Sequence, residues 1–305
     1  LIVLGRKYKF TEFEKASLNK KFKQQLILRY TNKDPMEVLE ELKTLIKSDV
    51  KLIVLNTKAK VPDELISFLT SLQFEKNIKL ITIEQFMEKY LHKCYIPDDH
   101  TDLNYLQNIK PFNIFEYSIK RFTDFVGVFL LYIVAFPIMA YSRRRIKKES
   151  PGTSMFKQER VGINKKIFKC NKYRSMHLNS YHDKYTREND SRIFPWGEIM
   201  RKTRIDELPQ MLNVLKGDMH LIGPRAEWKI LVEEYEKEIP YYNERHLVRP
   251  GITGWAQVNY PYGSCIEDTK QKLMYDLYYI KHYSLWLDIK IIWKTILVVL
   301  GKKGL

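Results

Sequence analysis

Glycine is nearly missing from the first 126 residues: Gly5 is the only one before Gly127. That excludes a GxGxxG turn, whose glycines let the backbone approach a pyrophosphate. Cysteine is scarce too. Cys94, Cys170 and Cys265 form an odd, scattered set without a CxxC pair, which argues for a reducing compartment and against a disulfide framework or a zinc site. None of the seven histidines falls in an HExxH pattern, so a zinc enzyme of that type is excluded. Long apolar runs are equally few before the C-terminal region. The main one is Phe125 to Tyr141, 17 residues with Pro137 near its end.

Basic residues crowd both flanks of that run: Lys110, Lys120 and Arg121 before it, Arg143, Arg144, Arg145, Lys147 and Lys148 after it. Positive charge marks the cytoplasmic side of a membrane segment, so a simple crossing is basic on one side only. Seventeen residues lie at the short limit for spanning, which takes roughly 20. As helix, the arm from Phe125 to Phe136 reaches about 18 Å, against a hydrocarbon core about 30 Å thick. Proline lacks an N–H and disfavours helix in the residue before it. A bend there returns the chain toward Arg143. Three readings stay open on these residues: a re-entrant segment, a kinked spanning helix and a buried helix of a soluble core. The return arm is short in apolar residues, which counts against the first.

With 305 residues, 45% hydrophobic and 29% charged, the chain has room for two domains and a sizeable core. A net charge of +16 attracts phosphates, whether on nucleic acid, anionic lipid or nucleotide. The opening LIVLG reads as a core strand, not a signal peptide. Leu1 is not a methionine, which leaves room for segments before it, membrane segments among them.

Over the first hundred residues, strand-like runs at Leu1–Leu4, Leu26–Leu28, Leu52–Leu55 and Leu80–Ile83 alternate with helical patterns, clearest at Pro35–Lys47 and Pro62–Phe74. Asp34 is placed to cap the helix that opens at Pro35. Such alternation implies a parallel sheet packed with helices, a small Rossmann-like accessory or regulatory domain without phosphate-binding chemistry. Residues 96–112, with Asp98, Asp99, His100 and Asp102, read as a linker. Near the other end, Leu285–Leu300 places Trp286 and Trp293 seven apart, which suits a helix at a membrane interface and, almost as well, a core helix.

The densest constellation is Arg201-Lys202-Thr203-Arg204-Ile205-Asp206-Glu207-Leu208-Pro209, opening a helix that ends at Gly217. Adjacent carboxylates can divide roles, one attacking phosphorus while the other holds a metal, with the cations gripping phosphate oxygens. The plainer explanation is that acids favour the first turn of any helix. Gly223-Pro224-Arg225 can present a guanidinium on a rigid turn. Arg245 follows, and then Arg249 to Val258, where two glycines and a proline shape a tight loop and Trp255 is either a stacking surface or a core residue.

Residues Lys120 to Leu305 resemble the bacterial sugar transferase family, the monotopic polyprenyl-phosphate phosphoglycosyl transferases. The resemblance rests on Lys120-Arg121-Phe122-Thr123-Asp124, Gln158-Glu159-Arg160-Val161-Gly162 and Lys172-Tyr173-Arg174-Ser175-Met176. It is closest over Arg201 to Arg225 and Arg249 to Asn259. The first hundred residues look like the Rossmann-like domain of the larger members, which also carry a preceding bundle of four transmembrane helices not included in this sequence.

The resemblance implies an α/β Rossmann-like domain with its linker over 1–108. A mainly α monotopic membrane catalytic domain would follow over 109–305, with a re-entrant helix at about 114–146 broken at Pro137. It implies transfer of a sugar 1-phosphate from a UDP-sugar to undecaprenyl phosphate, with release of UMP. That is an initiating step of exopolysaccharide, O-antigen or glycoconjugate synthesis at the cytoplasmic face of the bacterial inner membrane. Asp206 would be the nucleophile that forms a covalent phosphosugar, and Glu207 would bind Mg²⁺. Arg201 and Arg225 would bind substrate phosphate, as would Lys172 and Arg174 near the polyprenyl phosphate; Arg245 and Arg249 belong to the same candidate set. A homodimer is left open. Tyr173 replaces the usual phenylalanine, and Tyr260-Pro261-Tyr262-Gly263 replaces a frequent Asn-Gly, which bears on sugar choice. Two competing classes are a membrane-surface binding protein whose catalytic half has lapsed, and a nucleic-acid binder. The intact dyad and Arg225 count against the first, and the second rests on net charge alone, without a recognition motif.

Overall fold

The computed structural model describes residues 1–22, 26–28, 35–46, 50–58, 61–98, 109–178, 180, 190–261, 263 and 265–301. The expected cap at Asp34, the helix end at Lys47, linker residues Asp99, His100 and Asp102, and Tyr262 lie outside them. The chain divides into two compact units, Leu1–Tyr95 and Ile96–Leu305.

In the first unit the apolar runs become strands β1 (Ile2–Leu4), β2 (Leu26–Leu28), β3 (Leu52–Leu55) and β4 (Lys79–Thr82), all parallel in the order β2-β1-β3-β4. Helices α2 (Pro35–Leu45) and α3 (Asp63–Glu75) fall within two residues of their expected bounds. Their apolar stripes pack on the sheet through Val38, Leu42, Leu65 and Leu69 against Leu4 and Ile53. Helix α1 (Glu12–Lys21) has little amphipathic signal. Its start is written in a capping box, Thr11 accepting from Glu14 N while Glu14 accepts from Thr11 N. Glu14 is itself buried and meets Lys93 and Tyr8 Oη. After β1 the chain turns at Gly5, φ 101°, where an added Cβ would sit 2.4 Å from the Asn56 carbonyl oxygen. The Asn56 side chain closes this turn by accepting from Tyr8 N at 2.8 Å and donating to Gly5 O. A turn filled in this way is a structural device, in keeping with the missing glycine-rich loop. The unit ends in α4 (Ile83–Phe86), continued by a π-helical turn over Met87–Leu91.

The second unit begins with α5 (Ile114–Glu149), 36 residues capped by Asn113 and Glu116. It stays helical through Pro137, so the segment expected to break there is one helical element, and the arm after Pro137 runs on to Glu149. The short apolar content noted for that arm is offset by protein contacts: Ile146 is buried with Tyr173, Phe194 and Met200. A helix of a soluble core would be covered. Only 17% of the apolar window of α5 is buried, and Phe122, Phe129, Ile133, Val134 and Phe136 are exposed. Its buried stripe, by contrast, carries polar anchors. Lys120 Nζ pairs with Asp288 at 2.9 Å, and Tyr279 Oη donates to the other oxygen of that carboxylate. Arg121 donates to Val214 O, and Asp124 accepts from Leu221 N and meets His220 Nδ1 at 2.6 Å. At the far end, Glu149 accepts from Trp196 N at 2.7 Å.

An antiparallel hairpin follows, β5 (Met155–Val161) with β6 (Ile167–Tyr173), then α6 (Pro195–Lys202), a 3₁₀ turn (Ile205–Gln210) and α7 (Met211–Lys216). Gly217 ends α7 at φ 86°, as its sequence position suggests. Two short parallel strands, β7 (His220–Ile222) and β8 (Gly251–Thr253), flank α8 (Lys229–Glu238) and a second 3₁₀ turn (Tyr242–Leu247). Helices α9 (Trp255–Asn259), α10 (Ile266–Lys281) and α11 (Leu285–Leu300) complete the unit. α11 has a buried side and an exposed side. Leu287 and Ile291 are buried, while Trp286 and Trp293 are 74% and 62% exposed on the opposite side.

Removing one partner of a buried ion pair strands the other charge, at a cost of roughly 3–5 kcal/mol. Asp288→Ala is therefore expected to lower stability by about that amount, read as denaturant or thermal unfolding of the purified protein. The double change Lys120→Met with Asp288→Leu should recover most of it.

Candidate active site

The sharp turn after α6 sets the dyad. Arg204 adopts a left-handed conformation, φ 60°, and starts the 3₁₀ turn that carries Asp206 and Glu207. Both carboxylates are buried, 9% and 5% exposed, so a solvated first-turn preference does not account for them. Around Glu207 Oε1 gather Lys172 Nζ at 2.9 Å, Arg225 Nη1 at 3.4 Å and Arg204 Nη1 at 3.8 Å. These cations arrive from β6, from the turn after β7 and from the residue that opens the dyad. Asp206 Oδ1 is buried and has no hydrogen-bond partner among the described residues.

Electrostatics separates the two acids. Burial would raise Glu207, but Lys172, Arg225 and Arg204 overcome it and hold the carboxyl far below the usual range. Asp206 is raised, first by burial and then by the Glu207 charge, against the pull of Lys172, Arg201 and Arg204. One acid is a fixed anion locked to cations. The other is a more basic carboxylate with an open lone pair, and higher basicity favours nucleophilic attack once it is ionised.

The arginine turn is held backbone to backbone. Gly251 N donates to Pro224 O at 2.8 Å and Gly223 N to Thr253 O at 2.9 Å. A Cβ on Gly251 would lie 2.1 Å from Gly223 N, which explains the glycine in the loop that follows Arg249. Arg160, Cys170, Lys172, Gln210 and Arg225 line a cleft beside the dyad. Among the described residues no group of three or more His, Cys, Asp or Glu side chains clusters to hold a metal, so a cation here has Asp206 and Glu207 to draw on.

Of the residues the resemblance singles out, Asp206, Glu207, Lys172 and Arg225 lie together, and Arg201 acts electrostatically on Asp206. The other candidates are placed differently. Arg174 is buried and donates to Thr153 O at 2.7 Å, to Met176 O and to Ser150. Arg245 is buried as well, donating to Tyr242 Oη, to Asp276 Oδ2 at 2.8 Å and to Arg225 O at 2.9 Å. It braces the turn that presents Arg225. Arg249 lies over the Tyr117 ring of α5 at 4.7 Å. Trp255 is a core residue, 2% exposed, with Lys290 and Lys294 ammonium groups over its ring. Arg160 stands in a quoted motif with no role attached, and Arg204 is one of the cations expected to grip phosphate oxygens. Their signal was adjacency to motifs, and only the fold shows which way they face.

The family profile described as Bacterial sugar transferase matches residues 115–302, well over half of the chain. The chain belongs to the bacterial sugar transferase family. Its similarity reaches several curated members. It is 43% identical over 230 residues to a UDP-N-acetylgalactosamine-undecaprenyl-phosphate N-acetylgalactosaminephosphotransferase of Aeromonas hydrophila, covering 75% of this chain and 54% of that protein. Two proteins named UDP-glucose:undecaprenyl-phosphate glucose-1-phosphate transferase are also similar. The one from Xanthomonas campestris pv. campestris is 40% identical, over 60% of this chain and 39% of its own length. The one from Caulobacter vibrioides is 39% identical, over 58% of this chain and 68% of its own length. The chain spans about half the length, or less, of most of the first of these relatives.

The bracing pair of this family member sets a pH dependence. Burial first, then the Glu227 charge, push Asp276 up to about 6 against the pull of Arg245. Below the ordinary carboxyl value of 3.8 both folded and unfolded chains are protonated there. Between 3.8 and about 6 the folded chain keeps a proton the unfolded chain has released, so this group's contribution to stability falls as pH rises through that window. Asp276→Asn is expected to flatten this part of the stability profile between pH 4 and 6, measured by urea unfolding at a series of pH values.

Proposed function

We propose that this chain carries the catalytic domain of a phosphoglycosyl transferase, which moves a sugar 1-phosphate from a UDP-sugar to undecaprenyl phosphate. The observation that carries this reading is the division of the dyad: Glu207 under three cations beside Asp206 with an unpartnered buried oxygen. The names of the relatives give the substrate classes. In the first step an Asp206 carboxylate oxygen attacks the sugar-bearing phosphorus. The bond from that phosphorus to the bridging oxygen breaks, and UMP leaves with the electron pair. In the second step an oxygen of the lipid phosphate attacks the same phosphorus and Asp206 leaves as carboxylate. Lys172 and Arg225 hold phosphate oxygens, so catalysis is positioning plus charge neutralisation.

Mg²⁺ fits this site as an ion shared between carboxylate and substrate: the dyad offers two acidic side chains, and Mg²⁺ commonly binds one or two carboxylates together with phosphates. Glu207 would hold it, and when bound it would neutralise charge on the diphosphate.

We read α5 as re-entrant at the cytoplasmic face of the inner membrane. Its exposed aromatic stretch supports contact with lipid. Both of its ends dock on one folded unit, through Lys120 with Asp288 and Glu149 with Trp196, which supports a topology with both on one side of a bilayer. The first unit is read as a Rossmann-like accessory domain on its parallel sheet.

Purified protein in bilayers with radiolabelled UDP-sugars, Mg²⁺ and undecaprenyl phosphate should release UMP and form a lipid-linked sugar diphosphate. Asp206→Asn is expected to reduce turnover by at least about a thousandfold; substantial remaining activity rules out Asp206 as nucleophile. For topology, tags at the two ends should be reachable only from the cytoplasm. A C-terminal tag on the periplasmic side with a cytoplasmic N-terminal one would sink the re-entrant reading.

A further inference from the structure

Glu207 is the natural place for a divalent cation, yet the protein has already given that place positive charge. Lys172 and Arg225 both lie against Oε1, and Arg204 stands 3.8 Å away. Arg201 adds its charge on the Asp206 side. Four cations therefore face two carboxylates. Glu227 does not redress the balance, since it also faces Arg245, Arg160 at 3.9 Å and Lys272, cations outside the four. A free divalent cation approaching this surface meets net repulsion, and at distances of a few ångströms repulsion between buried charges is several-fold stronger than in water. A diphosphate meets the opposite: its oxygens can take over Lys172 and Arg225, and in doing so release an oxygen of Glu207.

We infer that this site does not bind its divalent cation alone: the ion enters together with a nucleoside diphosphate, whose phosphates draw Lys172 and Arg225 off Glu207 and complete the ion's ligand set. The inference rests on the proposed function and deepens it. It makes Lys172 a gate on metal binding as well as a phosphate contact. By thermodynamic linkage the two ligands then strengthen each other by the same factor.

Manganese and UDP test this without turnover. Proton relaxation enhancement reports Mn²⁺ bound to the slowly tumbling protein. Wild-type protein with Mn²⁺ alone should give little enhancement up to about millimolar ion, and saturating UDP should tighten Mn²⁺ binding at least about tenfold, with UDP binding tightened equally by Mn²⁺. Lys172→Met should gain Mn²⁺ binding in the absence of UDP, by about tenfold or more, because Glu207 is then less compensated. Lys172→Arg keeps the charge and should follow wild type, which separates a charge effect from a folding defect. Glu207→Gln should retain UDP binding and lose the Mn²⁺ enhancement. Equal Mn²⁺ affinity with and without UDP, or a Lys172→Met protein indistinguishable from wild type, overturns the inference and leaves the proposed function standing. A protein that binds no UDP at any Mn²⁺ concentration overturns the proposed function and this inference with it.

Discussion

Burying two adjacent carboxylates under a shared set of cations is the constraint on which the second unit depends. An uncompensated buried charge costs several kcal/mol, so Glu207 can stay ionised only where cations from elsewhere in the chain meet it. That requirement explains much of the surrounding architecture. The β5–β6 hairpin brings Lys172, the left-handed Arg204 turns the dyad inward, and β7 with β8 pins the Gly-Pro-Arg turn. Arg245 then braces the carbonyl of Arg225 and is balanced by Asp276. The split between the two acids follows from the same constraint, because compensating one acid leaves its neighbour as the basic one.

A second constraint acts on α5, which must show apolar residues outward and still hold its place. Polar side chains on its buried stripe solve this. Lys120, Asp124 and Glu149 bind partners on α11, β7 and α6, while the phenylalanines between them face away. The basic residues that looked like topological markers in the sequence thus divide into two kinds. Lys120 and Arg121 are structural contacts, whereas Arg143, Arg144, Lys147 and Lys148 stay exposed.

Much of the first unit was legible because β1 and β3, buried almost along their length, write continuous apolar runs, and helices against a sheet write a periodic stripe. Helix α1 was not, because its buried contacts include the charged Glu14, and a capping box was its only strong local sign. In the second unit the dyad and its motif were visible as a dense run of charge. The roles of Arg174 and Arg245 were not, since an arginine that binds a phosphate and one that binds a carbonyl or an aspartate carry the same letter. Trp255 shows the same limit, a ring beside glycines that turned out to be core.

Local sequence was enough to place the parallel strands of the first unit, the helix stop at Gly217 and the pairing of Asp206 with Glu207. Each depends on neighbours a few residues apart, through side-chain period, capping or direct adjacency. Tertiary structure alone decided which cations face Glu207, that Asp206 keeps an open oxygen, and that both ends of α5 dock on one unit. Those outcomes depend on distances between groups tens to more than a hundred residues apart in the chain. Electrostatic and hydrogen-bond energies act over a few ångströms of space, and the order of residues does not record that separation.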